Sequence, residues 1–159
     1  MTIIVTLIPL FPLLGFLILG LGFRSIPQKW TSIIGPGTIL LSFILSIITF
    51  INLFQFTNST VHQQITTLAH QHISTSTHLL FSWIHLGPLD IPFSFLIDPL
   101  SCMMLLVVTG VGFIIHLYSI GYMKDDPGFN RFFAYMNLFV FSMLLLVMGA
   151  NYPIMFIGW

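Results

Sequence analysis

PLSCMMLLVVTGVGFIIHLYSI, residues 99–120, runs without Lys, Arg, Asp or Glu. At 1.5 Å rise per residue it is long enough to cross a hydrocarbon core ~30 Å thick as one helix. The next residues are polar: Lys124, Asp125, Asp126, Pro127, Gly128 and Arg131 fall in one short stretch. A second uncharged segment, Phe132–Met148, follows directly. Upstream, Ile3–Phe23 and Ile33–Phe54 are likewise free of charge, separated by a stretch holding Arg24 and Lys29. All four Lys and Arg residues therefore lie in two short connections, and the long connection Gln55–Ile97 has none. With basic loops kept on the cytoplasmic side, one orientation satisfies all four charges. It puts the N-terminus outside, 24–30 inside, 55–97 outside, 121–131 inside and 149–152 outside. The sequence predicts an all-α, polytopic transmembrane bundle: four spans, the start of a fifth at Ile154–Trp159, and a small outer β-hairpin.

Composition agrees. Charged residues are 5% of the chain, against ~25% in soluble domains, and hydrophobic residues are 57%. The net charge of zero gives no pull toward nucleic acid. The first span is too long for a signal-peptide core, has no basic residue before it and no A-x-A site after it, so it reads as a retained helix. The one cysteine, Cys102, lies in an apolar span and cannot form an internal disulfide.

Three regions follow: 1–56 for the first two spans, 57–97 for the outer loop, and 98–159 for the third, fourth and beginning fifth spans. Helices in lipid have no hydrophobic reason to associate, so they need small or polar faces. Pro12, Gly15 and Gly22 supply one in the first span, where Pro9 loosens the outer end. Gly35, Thr38, Ser42, Ser46 and Thr49 supply another in the second. Cys102, Leu105, Thr109, Gly112, His116 and Ser119 form a stripe on the third. Asp98-Pro99 is a helix start, with Asp98 as the structural cap. Within the loop, 56–78 has no sustained periodicity and reads as irregular. Phe81, Trp83 and His85 alternate with their neighbours, as do Leu89, Ile91, Phe93 and Phe95, across a Gly87-Pro88 turn. This predicts a β-hairpin at the interface, with Pro92 confining its strand to an edge.

His116 is the one strongly titratable group well inside a span. An imidazole there can carry a proton along a polar path, and Thr109, Tyr118 and Ser119 are candidates to extend it. The same residues serve equally as packing groups. His62, His70, His72, His78 and His85 suggest a metal site, but no Cys or Glu accompanies them, so they read as solvated loop histidines with no metal bound. Asp125 and Asp126 read as solvated turn residues. No catalytic acid/base pair, nucleophile, dinucleotide fingerprint or thiolate cluster is present, which predicts no cofactor in this chain. Two classes survive on residues alone: a subunit of an ion-translocating assembly, and a structural or assembly subunit.

A longer pattern bears on that choice. FLIDPLS (95–101), VVTGVGFIIHLYS (107–119), GYMKDDPGFNRFFAYMNLF (121–139) and MFIGW (155–159) occur in order. This run resembles the N-terminal region of the largest antiporter-like membrane subunit of respiratory complex I, called subunit L in bacteria and subunit 5 in mitochondria. The related large subunit of multisubunit cation/proton antiporters shares the Asp-Pro-Leu-Ser and Gly-Trp signals and is the alternative. The resemblance implies a polytopic subunit that moves protons, with other complex I membrane subunits and the bilayer as partners. NADH, flavin, iron–sulfur clusters and quinone would be handled in other subunits. It implies the bacterial cytoplasmic membrane, or alternatively the mitochondrial inner membrane. In the family, Gly-Trp is followed by a membrane Glu facing a Lys on a later helix. Trp159 is the last residue here and the chain has no Glu, so the expected product continues with Glu after Trp159.

The topology is testable by labelling Ser74→Cys in intact cells or right-side-out vesicles. An impermeant maleimide should react from the outer side; reaction only after permeabilisation would contradict the orientation.

Overall fold

The computed structural model describes residues 2–22, 26–64, 76–86 and 89–159. The order of elements is α1 (Thr2–Leu21), α2 (Gln28–Gln64), β1 (Ser76–Leu86), β2 (Leu89–Ile97), α3 (Pro99–Tyr122), α4 (Phe129–Met148) and α5 (Tyr152–Gly158). Four segments are long and apolar enough to cross a membrane: Ile3–Leu21, Gln28–Gln55, Pro99–Tyr122 and Phe129–Met148. The chain is an integral membrane protein, and the four-span bundle with a hairpin is the architecture its charge pattern predicts.

The outer loop differs from expectation. Residues 56–64 continue α2, so the helix crosses the boundary drawn at 56/57, and Ser76–His78 already belong to β1. The missing periodicity between 56 and 78 was a poor guide. Between Gly37 and Gly87 there is no Gly or Pro to stop the helix, and each added residue costs little once a helix is nucleated. The expectation of irregular structure for 65–75, and the Gly87-Pro88 turn, lie outside the described residues.

Helices α1 and α2 show how apolar segments containing proline pack. Pro9 and Pro12 both lie inside α1. Pro12 has no N–H, so the Ile8 carbonyl one turn earlier loses its intrahelical donor. The Ser42 hydroxyl of α2 donates to that same Ile8 carbonyl at 2.7 Å. One side chain both satisfies a stranded backbone group and fixes the two helices against each other. By contrast, Ser46 and Thr49 donate within α2, to the Ser42 and Leu45 carbonyls. Gly15 permits the approach: a Cβ there would meet Thr38 Oγ1 at 2.6 Å and Asn137 Oδ1 at 2.9 Å.

The hairpin closes one end of the bundle. Its strands pair antiparallel from Ser76↔Ile97 to Leu86↔Leu89, with register shifts between Leu79 and Phe81 and between Ser82 and Ile84. The second shift lies opposite Pro92, which cannot donate to the ladder. Phe81 stacks on Phe93 at 5.1 Å between centroids, and Trp83 meets Phe93 edge-on. Ala150 N–H donates to the Ser94 carbonyl at 3.2 Å, and Asn151 Nδ2 donates to the Pro92 carbonyl at 2.7 Å. These two bonds tie β2 to the turn between α4 and α5. The hairpin end encloses a core that includes Val5, Ile8, Phe95, Ile97, Leu105, Leu144 and Met148. At the opposite end, near Lys29, Lys124 and Arg131, Leu19, Phe129, Phe133 and Ala134 form a second cluster. Finally, α5 packs backbone to backbone on α4. A Cβ on Gly158 would meet Leu146 N and Ser142 O at 2.7 Å.

Ser42→Ala is expected to destabilise the bundle by about 1–3 kcal/mol, the cost of a buried carbonyl left without a donor. Pro12→Ala restores the N–H, so most of that loss should disappear in the Ser42→Ala/Pro12→Ala double variant. Unfolding in mixed micelles measures the cycle, and simple additivity would contradict the pairing.

Candidate functional site

Asp98 begins the helix that carries the site. Its Oδ1 accepts from the Ser101 N–H at 2.6 Å with extended backbone geometry, and Pro99 occupies the first turn. From this start α3 buries Cys102, Leu105, Thr109, Gly112, His116 and Ser119, the stripe read from their spacing. The candidate proton-path residues divide between two faces. Thr109, His116 and Ser119 lie on the buried stripe, with His116 at 0% exposure. Tyr118 is 70% exposed and stacks on Tyr122 at 5.9 Å, pointing away from them. Thr109 and His116 do not bond to each other. Thr109 Oγ1 donates to the Leu105 carbonyl at 2.6 Å, and His116 Nδ1 donates to the Gly112 carbonyl at 2.7 Å.

That second bond fixes the imidazole. With the proton on Nδ1, the neutral ring presents a bare acceptor at Nε2. Among the described residues, His116 Nε2 is the one buried side-chain nitrogen or oxygen without a hydrogen-bond partner. The ring of Phe133 on α4 packs against it edge to face at 5.8 Å. Val140 lies 3.4 Å and Ile39 3.8 Å from where a Cβ on Gly112 would stand. The histidine thus sits where α2, α3 and α4 meet. The charged residues of the helices around it, Lys29 of α2 and Arg131 of α4, lie in the first turns of those helices.

A polar ladder that sequence reading missed runs beside this junction. Thr31 Oγ1 donates to Asn130 Oδ1 at 2.8 Å, and Thr38 Oγ1 to Asn137 Oδ1 at 2.9 Å. Both pairs are 99 residues apart, so α2 and α4 run parallel in one register, two turns between rungs. Asn130 Nδ2 donates to the Ile26 carbonyl at 2.8 Å and Asn137 Nδ2 to the Phe133 carbonyl at 2.9 Å, which uses the other half of each amide. Phe133 lies between the two asparagines in α4 and touches Gly35, which lies between the two threonines in α2. The His116 ring is therefore at the level between the rungs, with Phe133 against it. The signal in the sequence was the matched seven-residue spacing of Thr31/Thr38 and Asn130/Asn137.

The histidines of the loop are not brought together in what is described. His70 and His72 lie outside the described residues. His78, in β1, is half-buried, and burial holds its imidazole below the usual range. No group of three metal-ligating side chains occurs among the described residues.

Comparison with known proteins gives this bundle its context. Residues 83–133 match the family model described as NADH-ubiquinone oxidoreductase (complex I), chain 5 N-terminus. NADH-quinone oxidoreductase subunit L of Buchnera aphidicola subsp. Schizaphis graminum is 44% identical over 156 residues, 98% of this chain and 23% of that protein. The chain belongs to the subunit L family. The Rhodobacter capsulatus subunit L is 41% identical over 161 residues, covering 97% of this chain and 20% of the relative. The Escherichia coli K12 subunit L is 36% identical over 148 residues, covering 93% and 22%. The chain thus spans between a fifth and a quarter of the length of these relatives. The shared stretch contains the hairpin, His116 and the ladder.

Asp98→Ala should lower the stability of the bundle by about 1 kcal/mol, while Asp98→Asn, an equally good cap, should stay within a few tenths of wild type. Unfolding of both variants under one detergent condition checks this; equal losses would mean that Asp98 acts through charge instead.

Proposed function

We propose that this polypeptide works in the proton-translocating membrane arm of a bacterial NADH:quinone oxidoreductase, with other membrane subunits of that complex and the bilayer around it. The observation that carries the reading is the 44% identity over nearly the whole chain to a protein named for that enzyme. Its orientation follows the charge rule: N-terminus and hairpin outside, Lys29, Lys124 and Arg131 on the cytoplasmic side. The redox steps take place in other subunits, and this chain contributes no redox centre. Its own part is to hold helices in register and to offer His116 as a proton-carrying group.

The support for His116 is its one unpaired nitrogen. An unmet acceptor in a membrane interior costs free energy that a packing residue would not need to sustain. Because Nε2 is already enclosed by α2, α3 and α4, a side chain packed on the outside of these four helices does not reach it. For Nε2 to take a proton, water has to enter the junction beside Phe133. The imidazole then takes the proton at Nε2 while Nδ1 stays on the Gly112 carbonyl, and gives it up from Nε2 when water next enters. Ser119, one turn along the stripe, can bind that water; Thr109 is two turns away, ~10 Å along the helix, and would need further waters, and Tyr118 faces the wrong way.

In the intact complex, His116→Gln keeps a hydrogen-bonding shape but does not titrate. Protons pumped per NADH are expected to fall in this variant, while assembly and NADH-to-quinone electron transfer persist. Unchanged pumping at unchanged assembly would assign His116 to packing and favour the structural reading of these helices.

A further inference from the structure

A groove of the described bundle lies far from the hairpin, between the C-terminal end of α1 and the first turns of α4. Phe16, Leu17, Gly20 and Leu21 form one wall, and Arg131, Ala134 and Tyr135 the other. Its volume of about 520 Å³ falls within the ~300–1,000 Å³ of ligand-sized pockets. Of the lining residues only Arg131 and Tyr135 carry polar side-chain groups. Arg131 is the third residue of α4 and Leu21 the last of α1, so the groove opens at the end where the apolar spans stop.

That end is also where the cations collect. Lys29 begins α2, Lys124 follows α3, Arg131 begins α4, and Arg24 follows Leu21 by three residues in the sequence. Asp125 and Asp126 are the only carboxylates in these two connections, leaving an excess of two positive charges there. An occupant of such a groove needs a hydrocarbon tail several carbons deep and a negative head at interfacial depth. We propose that this groove is a binding site for an anionic phospholipid, one acyl chain lying along Phe16, Leu17 and Gly20 and the phosphate on Arg131. The guanidinium has five donors in a planar fork, so a phosphate oxygen pair is held even where another group shares the side chain. Tyr135, 66% exposed, is an amphipathic ring suited to the headgroup boundary. Zwitterionic lipids fit the same apolar walls but offset the phosphate with their own cation, which is why the site selects for net charge. The site requires only that the chain sits in a membrane; it does not depend on the proton reading.

The test uses the complete polypeptide in its native complex, reconstituted into nanodiscs of phosphatidylcholine with a minority of phosphatidylglycerol. Spin-labelled phosphatidylglycerol or phosphatidylcholine reports the immobilised fraction. Arg131→Gln should lower the preference for phosphatidylglycerol about fivefold, the effect of one interfacial basic residue. Gly20→Leu should displace the chain while keeping every charge, since a Cβ there meets only the Phe16 ring at 3.5 Å. Lys124→Gln, which does not line the groove, should keep the preference. The proposal is overturned if Arg131→Gln and Gly20→Leu both leave selectivity intact. It is equally overturned if a photoreactive group at Leu17 crosslinks to protein instead of lipid.

Discussion

Inside a bilayer a backbone N–H or C=O has no water to turn to, and this fold is arranged around that constraint. Pro12 removes a donor from α1 and strands the Ile8 carbonyl; Ser42 of α2 takes over, so a local defect becomes a contact between helices. The same economy recurs at both ends. Asn151 spends its side chain on the Pro92 carbonyl instead of on its own helix, and Asn130 reaches back to the Ile26 carbonyl in the α1–α2 connection. Each of these bonds joins parts of the chain remote in sequence. In a setting where apolar burial gives helices little reason to choose one neighbour over another, such bonds set the register.

The parallel α2–α4 pair depends on this. Thr31–Asn130 and Thr38–Asn137 act as two matched rungs, and Gly15 and Gly35 clear the space beside them. The antiparallel α3 then lies against both, and Gly112 lets its backbone approach Val140 and Ile39. His116 comes to rest at this three-helix junction as a consequence of where the glycines and asparagines are.

Much of this was legible in the residues. The absence of charge from four segments located the spans, and the i, i+3, i+4 spacing on α3 gave its buried face residue by residue. The Asp98-Pro99 start and the alternating aromatics of the hairpin were readable from local chemistry. The extension of α2 through 56–64 was not, because a polar helix beyond the membrane has no apolar period to announce it. Pro12 was read with Gly15 and Gly22 as part of the packing face of α1; that it docks a neighbour through the freed Ile8 carbonyl depends on Ser42 of the partner helix, which the α1 sequence does not show. The placement of Tyr118 opposite His116 was implicit in their two-residue separation, which puts them on different sides of a helix. The ladder escaped because each asparagine alone looks like a tolerated polar residue, and its meaning lies in the spacing shared by two helices.

The family relationship says what the chain is related to, while the local structure says how its own residues are arranged. That arrangement is a bundle held in register by side-chain hydrogen bonds, with one buried side-chain atom, His116 Nε2, left unmet among the described residues. Solid-state nitrogen NMR of histidine-labelled protein in bilayers addresses that atom directly, the His116 signals being assigned by their loss in His116→Gln. The account predicts a neutral ring protonated at Nδ1, with Nε2 a bare acceptor that no hydrogen bond perturbs. A ring protonated at Nε2 instead, or an Nε2 bonded to a side chain in the resting protein, would contradict it.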